Sequence, residues 1–329
     1  MLAAYIERLG GPEEIRVGEL AEPRPGPTDV LVDVLATTVN PVDTFVRSGR
    51  FRTPVPFPFV IGRDLVGRVA ETGAGGFAAG ELVWANSLGH GGRQGAAAAR
   101  AVVAADRLYR LPEQVDPYQA VAVVHPAATA YLALFTHGGL RMGDTVLVAG
   151  AAGNVGSALV TMAAAAGARV LATAAPMDAD HCRALGAAEV FDYAHPDLTG
   201  RLRAAAPEGV DLHLDTSGRN DLTAAVDLLA HRGRIVLLAG ATSTPVLPAG
   251  RLYLKDGSIH GFVISHATPP ELAEAAGVIN RLLRAGRLWP RAKEVRPLSA
   301  AAEVHRRLEA GELHGKRVVL SIRSQSDNA

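Results

Sequence analysis

The stretch "TVLVAGAAGNVGSALVTMAAAAGARVLATAAPMDAD", Thr145 to Asp180, decides the fold. An apolar run from Thr145 to Ala149 meets a glycine-rich turn, an alanine-rich helical stretch and a second apolar run, "ARVLATA". This order predicts strand, turn, helix and strand, one unit of a parallel sheet. Against the dinucleotide pattern G-x-G-x-x-G, Ala151 takes the first place, and Gly153 and Gly156 take the second and third. Gly153 lets a pyrophosphate approach the backbone, and Gly156 lets the helix pack close to the strand. The helix start then offers free N–H groups and a positive dipole end to phosphate. An ordinary tight strand-to-helix turn is the alternative.

An NAD site usually carries an acid about 20 residues beyond the turn, bonded to the ribose 2′-hydroxyl. Thr173, Ala174 and Ala175 hold that place, which leaves room for a 2′-phosphate and favours NADPH over NADH. Asp178 and Asp180, with no Lys or Arg beside them, argue the other way. Tyr193 and Arg183 are candidate phosphate partners; a packed aromatic and a solvated helix charge are their alternatives.

The chain has 329 residues, 48% hydrophobic and 20% charged, enough apolar material for two packed domains and too much for a disordered chain. Lys plus Arg equals Asp plus Glu at 33 each, so no electrostatic footprint for nucleic acid or anionic membrane is expected. Cys182 is the single cysteine, which excludes an internal disulfide and any multi-cysteine zinc site. The opening "MLAAYIERLG" has charges where a signal peptide needs an apolar run, and the apolar stretch Val155 to Val170 reads as a core helix. A cytoplasmic protein is the expectation.

Residues 1–118 look β-rich, with strands in "DVLVDVLATTV", "FVIGRDLVGRVAET" and "ELVWANS" between Pro and Gly clusters. Residues 119–260 alternate helix and strand, including the helix "DLTAAVDLLAHRG" and the strand "RIVLLAG", and predict an α/β doubly wound parallel sheet. Residues 261–329 carry the helices "PPELAEAAGVINRLLRAG" and "SAAAEVHRRLEAG" and the strand "KRVVLSI", and are expected to return to the first domain. The tail "RSQSDNA" is expected to fray.

The glycine turn, with "NPVDTFVRSG", "FPFVIGRDLVG", "HPAATAYLAL", "GFVISH" and terminal "GKRVVL" in the same order, resembles the medium-chain dehydrogenase/reductase superfamily. Within it the chain is similar to the zinc-free quinone oxidoreductase branch, which includes the zeta-crystallins. The resemblance implies a Rossmann domain beside a β-rich GroES-like catalytic domain built from both chain ends, NADPH as cofactor, and a homodimer. It places Asn40 and Thr129 by the nicotinamide and Asp43 close to Asn40. Gly150, Ala152, Gly153, Asn154, Val155 and Gly156 would hold the pyrophosphate. Thr173, Ala174 and Tyr193 would meet the adenosine ribose and its phosphate, and Gly240, Phe262 and Val263 belong to further cofactor-contacting loops. Asn40 as a turn cap and Asp43 as a helix cap are the plainer alternatives.

Zinc-dependent relatives have metal ligands at the places of Asn40, Arg63 and His125, so no metal is expected here. Hydride transfer into a conjugated acceptor survives without a Lewis acid, because the charge spreads to an oxygen that hydrogen bonds can hold. A zinc-independent NADPH-dependent reductase of a quinone or α,β-unsaturated carbonyl compound follows. Two departures from the resemblance stand out: Phe45 replaces a Tyr common in relatives, and Asp178 replaces a phosphate-binding Lys. Arg47, Arg50 and Arg52 raise the alternative of an enoyl-thioester or biosynthetic enone reductase, in which they meet a carrier phosphate; a solvated basic face is the plainer reading. A cofactor-binding protein with little catalysis is the third alternative.

Overall fold

The β-branched and small residues of the first third build short strands, and the Pro and Gly clusters between them turn the chain. The computed structural model describes residues 1–73 and 76–322. It divides the chain into two units, Met1–His125 with Thr268–Ala329, and Pro126–Ala267. The first unit opens with β1 (Leu2–Ile6), β2 (Arg16–Glu19), β3 (Asp29–Thr38), helix α1 (Pro41–Ser48), β4 (Phe59–Val60) and β5 (Leu65–Thr72). β6 (Leu82–Ala85), β7 (Arg100–Ala104) and β8 (Tyr109–Arg110) follow, and helix α2 (Pro117–Tyr131) leads out. The second unit alternates β9 (Thr145–Ala149), α3 (Asn154–Ala165), β10 (Arg169–Ala174), α4 (Ala179–Ala184), β11 (Glu189–Asp192) and α5 (Leu198–Ala205). It continues with β12 (Val210–Asp215), α6 (Leu222–Leu228), β13 (Leu229–Leu237), α7 (Ala249–Tyr253) and β14 (Ser258–Gly261). The return segment holds α8 (Pro269–Arg284), β15 (Lys293–Pro297), α9 (Ala301–Glu309) and β16 (Arg317–Ser321).

The second unit is the doubly wound sheet: six strands in the order β11-β10-β9-β12-β13-β14, every pairing parallel. Leu147, Leu171, Val226 and Ile235 lie in its core. The first unit is mixed. β15-β16-β3-β5-β6-β8 form one sheet, with β7 also on β3, and β2-β1-β4 form a second. β16 pairs antiparallel with β3 through Val319 opposite Thr38 and Leu320 opposite Thr37, so the two chain ends share one sheet.

The units change over later in the chain than the breaks expected after residues 118 and 260. The first change falls within α2, between His125, which is bonded into the first unit, and Pro126, which lacks an amide hydrogen. The helix read over "DLTAAVDLLAHRG" also stops early. α6 ends at Leu228 and β13 begins at Leu229, because Leu229 already pairs with Val210 ahead of a register shift. The frayed tail expected at residues 323–329 lies outside the described residues. Among the described residues, one helical run, Pro117–His137, is long and apolar enough to cross a membrane, but 72% of its apolar window is buried inside the protein, as in a core helix.

At the far end of α1, Arg47 is 1% exposed and donates from Nη2 to Glu309 on α9 at 2.5 Å. Arg50 and Arg52 are exposed. The three arginines therefore do not stand together on one face, since side chains three and five residues apart on this turn diverge and Arg47 turns into the core. His305, also 1% exposed, lies in the field of Arg47. Burial, reinforced by that charge, pushes its imidazole down from 6.5 to about 3. The unfolded chain takes up this proton near pH 6.5 and the folded chain does not, so stability falls as pH drops from about 6.5 toward about 3. A His305→Gln variant, neutral throughout, is expected to lose this share of the acid sensitivity. Urea midpoints followed against pH check it, and curves that stay parallel for the two proteins would refute it.

Candidate functional site

Asn40 follows β3 in an extended conformation and stands at the N-cap of α1. Its side chain is also committed elsewhere. Asn40 Nδ2 donates to Asp64 Oδ2 at 2.7 Å, and Asn40 Oδ1 accepts from Arg317 Nη2 at 2.9 Å. Asp43 reaches back to close the helix start: the Asn40 amide donates to Asp43 Oδ2 at 2.6 Å. Asp43 closes the capping box from the third helical position while Asn40 holds the cap itself, and Asn40 adds to that place two bonds that no cap requires.

Asp64 is fully buried and gathers the neighbours. Thr38 Oγ1 donates to Oδ2 at 2.9 Å, and His125 Nδ1 lies 3.0 Å from Oδ1 and 3.1 Å from the Asn86 carbonyl oxygen. Both partners of Nδ1 are acceptors, so Nδ1 carries the proton. Arg317, 4% exposed at the head of β16, donates to the carbonyl oxygens of Ala122 and Val39, to Thr38 Oγ1 and to Asn40. Asp43 Oδ1 is buried without a hydrogen-bond donor. Burial first, and the Asp64 charge second, push the Asp43 carboxyl up to about 6.

Asn40, Asp43, Arg63 and His125 thus meet in one buried group, with Phe45 partly buried on α1 beyond it. Asp64, Thr38, Asn86 and Arg317 belong to the same group, and the sequence motifs do not single them out. Two signals could have found them. Asp64 adjoins Arg63 in "GRD", and Arg317 is the lone charge in its strand, beside Val318, Val319 and Leu320, the kind of misfit that marks a buried polar site. The donor set does not suit zinc, because the Arg63 guanidinium has no lone pair to give and Asn40 Oδ1 is already bonded to Arg317, which leaves His125 as the one possible ligand of the three. Among the described residues, no three His, Cys, Asp or Glu side chains stand close enough to hold a metal ion.

In the second unit Gly150 lies in the left-handed region at φ 76°, where a Cβ would come within 2.5 Å of Thr216 Oγ1. The Gly150 amide donates to Thr173 Oγ1 at 3.4 Å, and the Ala151 amide to the Thr173 carbonyl oxygen at 3.0 Å. Thr173 therefore holds the turn from within. Gly153 is the N-cap of α3, so the amides of Asn154, Val155 and Gly156 open the helix without intrahelical acceptors. A Cβ on Gly156 would fall 2.2 Å from the Gly150 carbonyl oxygen, whereas one on Gly153 would meet nothing closer than 3.4 Å. Close packing is the duty of Gly156, and open space lies over Gly153. That cradle fits a pyrophosphate.

Ala152 and Ala174 are buried beside this turn, and Tyr193 is 51% exposed past the end of β11. Asp178 is buried, while Arg183 is exposed and paired with Asp180 at 2.8 Å. His181 reaches the first turn of α3, where its Nε2 lies 3.1 Å from Ser157 Oγ. Gly240, at φ 83°, closes on the loop after β12: a Cβ there would lie 2.5 Å from Asn220 Nδ2. Phe262 stacks on His137 with ring centroids 4.5 Å apart, Val263 is 39% exposed, and Thr129 sits on α2 within this unit.

Residues 26–113 match the alcohol dehydrogenase GroES-like domain, and residues 154–281 match the zinc-binding dehydrogenase family. The human protein described as quinone oxidoreductase is 30% identical over 97% of this chain and 98% of its own length. The chain belongs to the medium-chain dehydrogenase/reductase superfamily, in its quinone oxidoreductase branch. A solved NAD-dependent alcohol dehydrogenase superposes at a TM-score of 0.88 with 31% identity, covering 98% of this chain and 100% of that one. A mycobacterial protein complexed with NADPH superposes at 0.84 with 27% identity, covering 98% and 100%. This membership makes the first unit the GroES-like domain and the second the Rossmann domain.

The two glycines separate folding from binding. Gly156→Ala is expected to lower the melting temperature, because backbone must move to admit the methyl group. Gly153→Ala should melt near the parent and yet bind NADPH at least tenfold more weakly by calorimetry, about 1.4 kcal/mol. Equal affinities for Gly153→Ala and the parent would remove the pyrophosphate from this turn.

Proposed function

We propose that the protein is an NADPH-dependent reductase that delivers hydride to a quinone or α,β-unsaturated carbonyl compound without a metal ion. The observation that carries this reading is the buried group of Asn40, Asp43, Asp64, Arg63 and His125, in which a fixed cation, Arg63, and an amide already bonded to Arg317, Asn40, stand at two of the three places where zinc-dependent relatives hold their metal. The bound reduced nicotinamide supplies the hydride, and the chain supplies everything else. Asp43 is the proton source: its Oδ2 is held by the Asn40 amide, its Oδ1 is unbonded, and its carboxyl is half protonated at about pH 6. Asp64 fixes Asn40 and His125 in one geometry, so the acceptor meets a preorganised polar wall.

NADPH is preferred to NADH because no carboxylate follows β10 in solvent before Asp180, and the Tyr193 phenol is exposed. Arg47 is unavailable to a carrier phosphate, which disfavours the enoyl-thioester reading. Several ionisable groups held dry cost stability, which disfavours a protein that only stores cofactor. We also assign it to the cytoplasm, where reduced nicotinamide is made, and to a homodimer. β14 is a sheet edge, and Val246, Tyr253 and Leu254 in the segment before it are 77%, 78% and 75% exposed.

Absorbance of the reduced nicotinamide, followed with a panel of quinones and enones, tests the activity. NADPH should support turnover better than NADH, and a clear NADH preference or no turnover on any acceptor counts against the reading. Asp43→Asn should lower kcat by about 10² and abolish the fall in rate that the parent shows as pH rises through about 6. Light scattering tests the assembly: the parent should be a dimer and Leu254→Glu a monomer, and a monomeric parent removes the dimer.

A further inference from the structure

Two arginines lie in the buried group of the GroES-like unit, and they differ in one respect. Every side-chain nitrogen of Arg317 donates to a protein oxygen: Nε to Ala122, Nη1 to Val39, and Nη2 to Thr38 and Asn40. Arg63 is equally buried, at 1% exposure, and none of Nε, Nη1 and Nη2 has a protein acceptor. A dry guanidinium with five idle N–H donors is among the most costly arrangements a fold can hold. The adjoining Asp64 does not relieve it, since that carboxylate is taken by Thr38, Asn40 and His125 and accepts nothing from Arg63.

The surroundings say what would complete it. Asp43 and Asp64 both act on Arg63 electrostatically, and neither is bonded to it. Asp43 Oδ1 is the orphaned carboxyl oxygen of the group. Within the group Arg63 and Arg317 offset Asp43 and Asp64, Arg107 adds a further positive charge acting on Arg63, and protonation of Asp43 leaves still more positive charge in excess. A ligand atom that accepts N–H bonds from the guanidinium, takes a proton from a carboxyl and carries up to one negative charge meets all three conditions. An oxygen of a carbonyl that becomes an enolate or phenolate is such an atom.

We propose that Arg63 is the oxyanion-binding residue of this enzyme, its guanidinium receiving the acceptor oxygen opposite Asp43 Oδ1. This rests on the reductase reading and adds to it the residue that holds the charge which reduction of a quinone or enone places on oxygen. Hydride arriving on the acceptor carbon forms a C–H bond and moves an electron pair onto the oxygen, which then takes the proton that Asp43 releases. Arg63 gives up no proton; it holds the charge between the two events.

A nitrophenol, whose oxygen ionises in place but accepts no hydride, tests this on the full protein loaded with NADP+. Visible absorbance against pH should show the bound phenol ionising at least about one pH unit lower than in water, a tenfold gain in the ionised fraction. Arg63→Gln should abolish the shift while NADPH still binds. If that variant does not fold, Arg63→Lys, with the charge but fewer donors, should keep only part of it. No shift in the parent, or the full shift in either variant, overturns the proposal. Quinone turnover undiminished in Arg63→Gln also overturns it and leaves the reductase reading intact. A shift that depends on Arg63 in a protein that reduces no acceptor upholds the oxyanion site and removes the reductase.

Discussion

The carboxylate of Asp64 is the constraint on which the GroES-like unit depends. It is fully buried, and it takes N–H or O–H donors from β3, from the cap of α1 and from α2 at once. Through Asn40 it also reaches Arg317 on β16, the strand supplied by the other chain end. Removing one partner of a buried charged set costs about 3 to 5 kcal/mol, because the remaining charge is left without water or a counterion. The same interaction therefore fixes the fold of the unit and the positions of Asn40, Asp43 and His125.

In the Rossmann unit a steric limit does the equivalent work. The Gly150 carbonyl oxygen sits where a Cβ on residue 156 would go, so strand β9 and helix α3 can close only on glycine. Thr216 Oγ1, just past β12, donates to the carbonyl oxygens of Ala149 and Gly150 and presses on the same turn. The turn is held from both neighbouring strands, with Thr173 on the other side. A phosphate-binding loop fixed this way needs no reorganisation to meet its ligand, which is the advantage of preorganised main-chain donors over mobile side chains.

Local pattern carries the strands, the helices and the glycine turn, because each depends on residues within a few positions of one another. The ten residues of β3 and the capped helix at Pro269 are plain in the sequence for that reason. In the candidate site, contiguous motifs carry Asn40 with Asp43 and Gly153 with Gly156, whereas Arg63 and His125 join Asn40 only through the resemblance. Arg317 cannot be linked to Asn40 from the sequence, since 277 positions separate them and only the pairing of β16 with β3 brings them together. Arg47 misleads for the opposite reason. Its neighbours Arg50 and Arg52 suggest a shared basic face, while its partner Glu309 lies 262 positions away.

Arg47 and Arg63 also show how a structural charge is told from a functional one. Each is 1% exposed in the same unit, and each has side-chain nitrogens without acceptors. Arg47, however, has a carboxylate at 2.5 Å, and that carboxylate is 33% exposed, so the pair drains its charge toward water. Its neighbour His305 adds no second positive charge, being held neutral by burial and by Arg47 itself. That arrangement locks α1 against α9 and asks for nothing more. Arg63 has no such outlet, and the two carboxylates that act on it stand off from it. A guanidinium kept in that state serves stability poorly, since an apolar side chain of similar size would do better. With the unbonded Asp43 oxygen in the same group, the oxyanion role gives that cost a purpose.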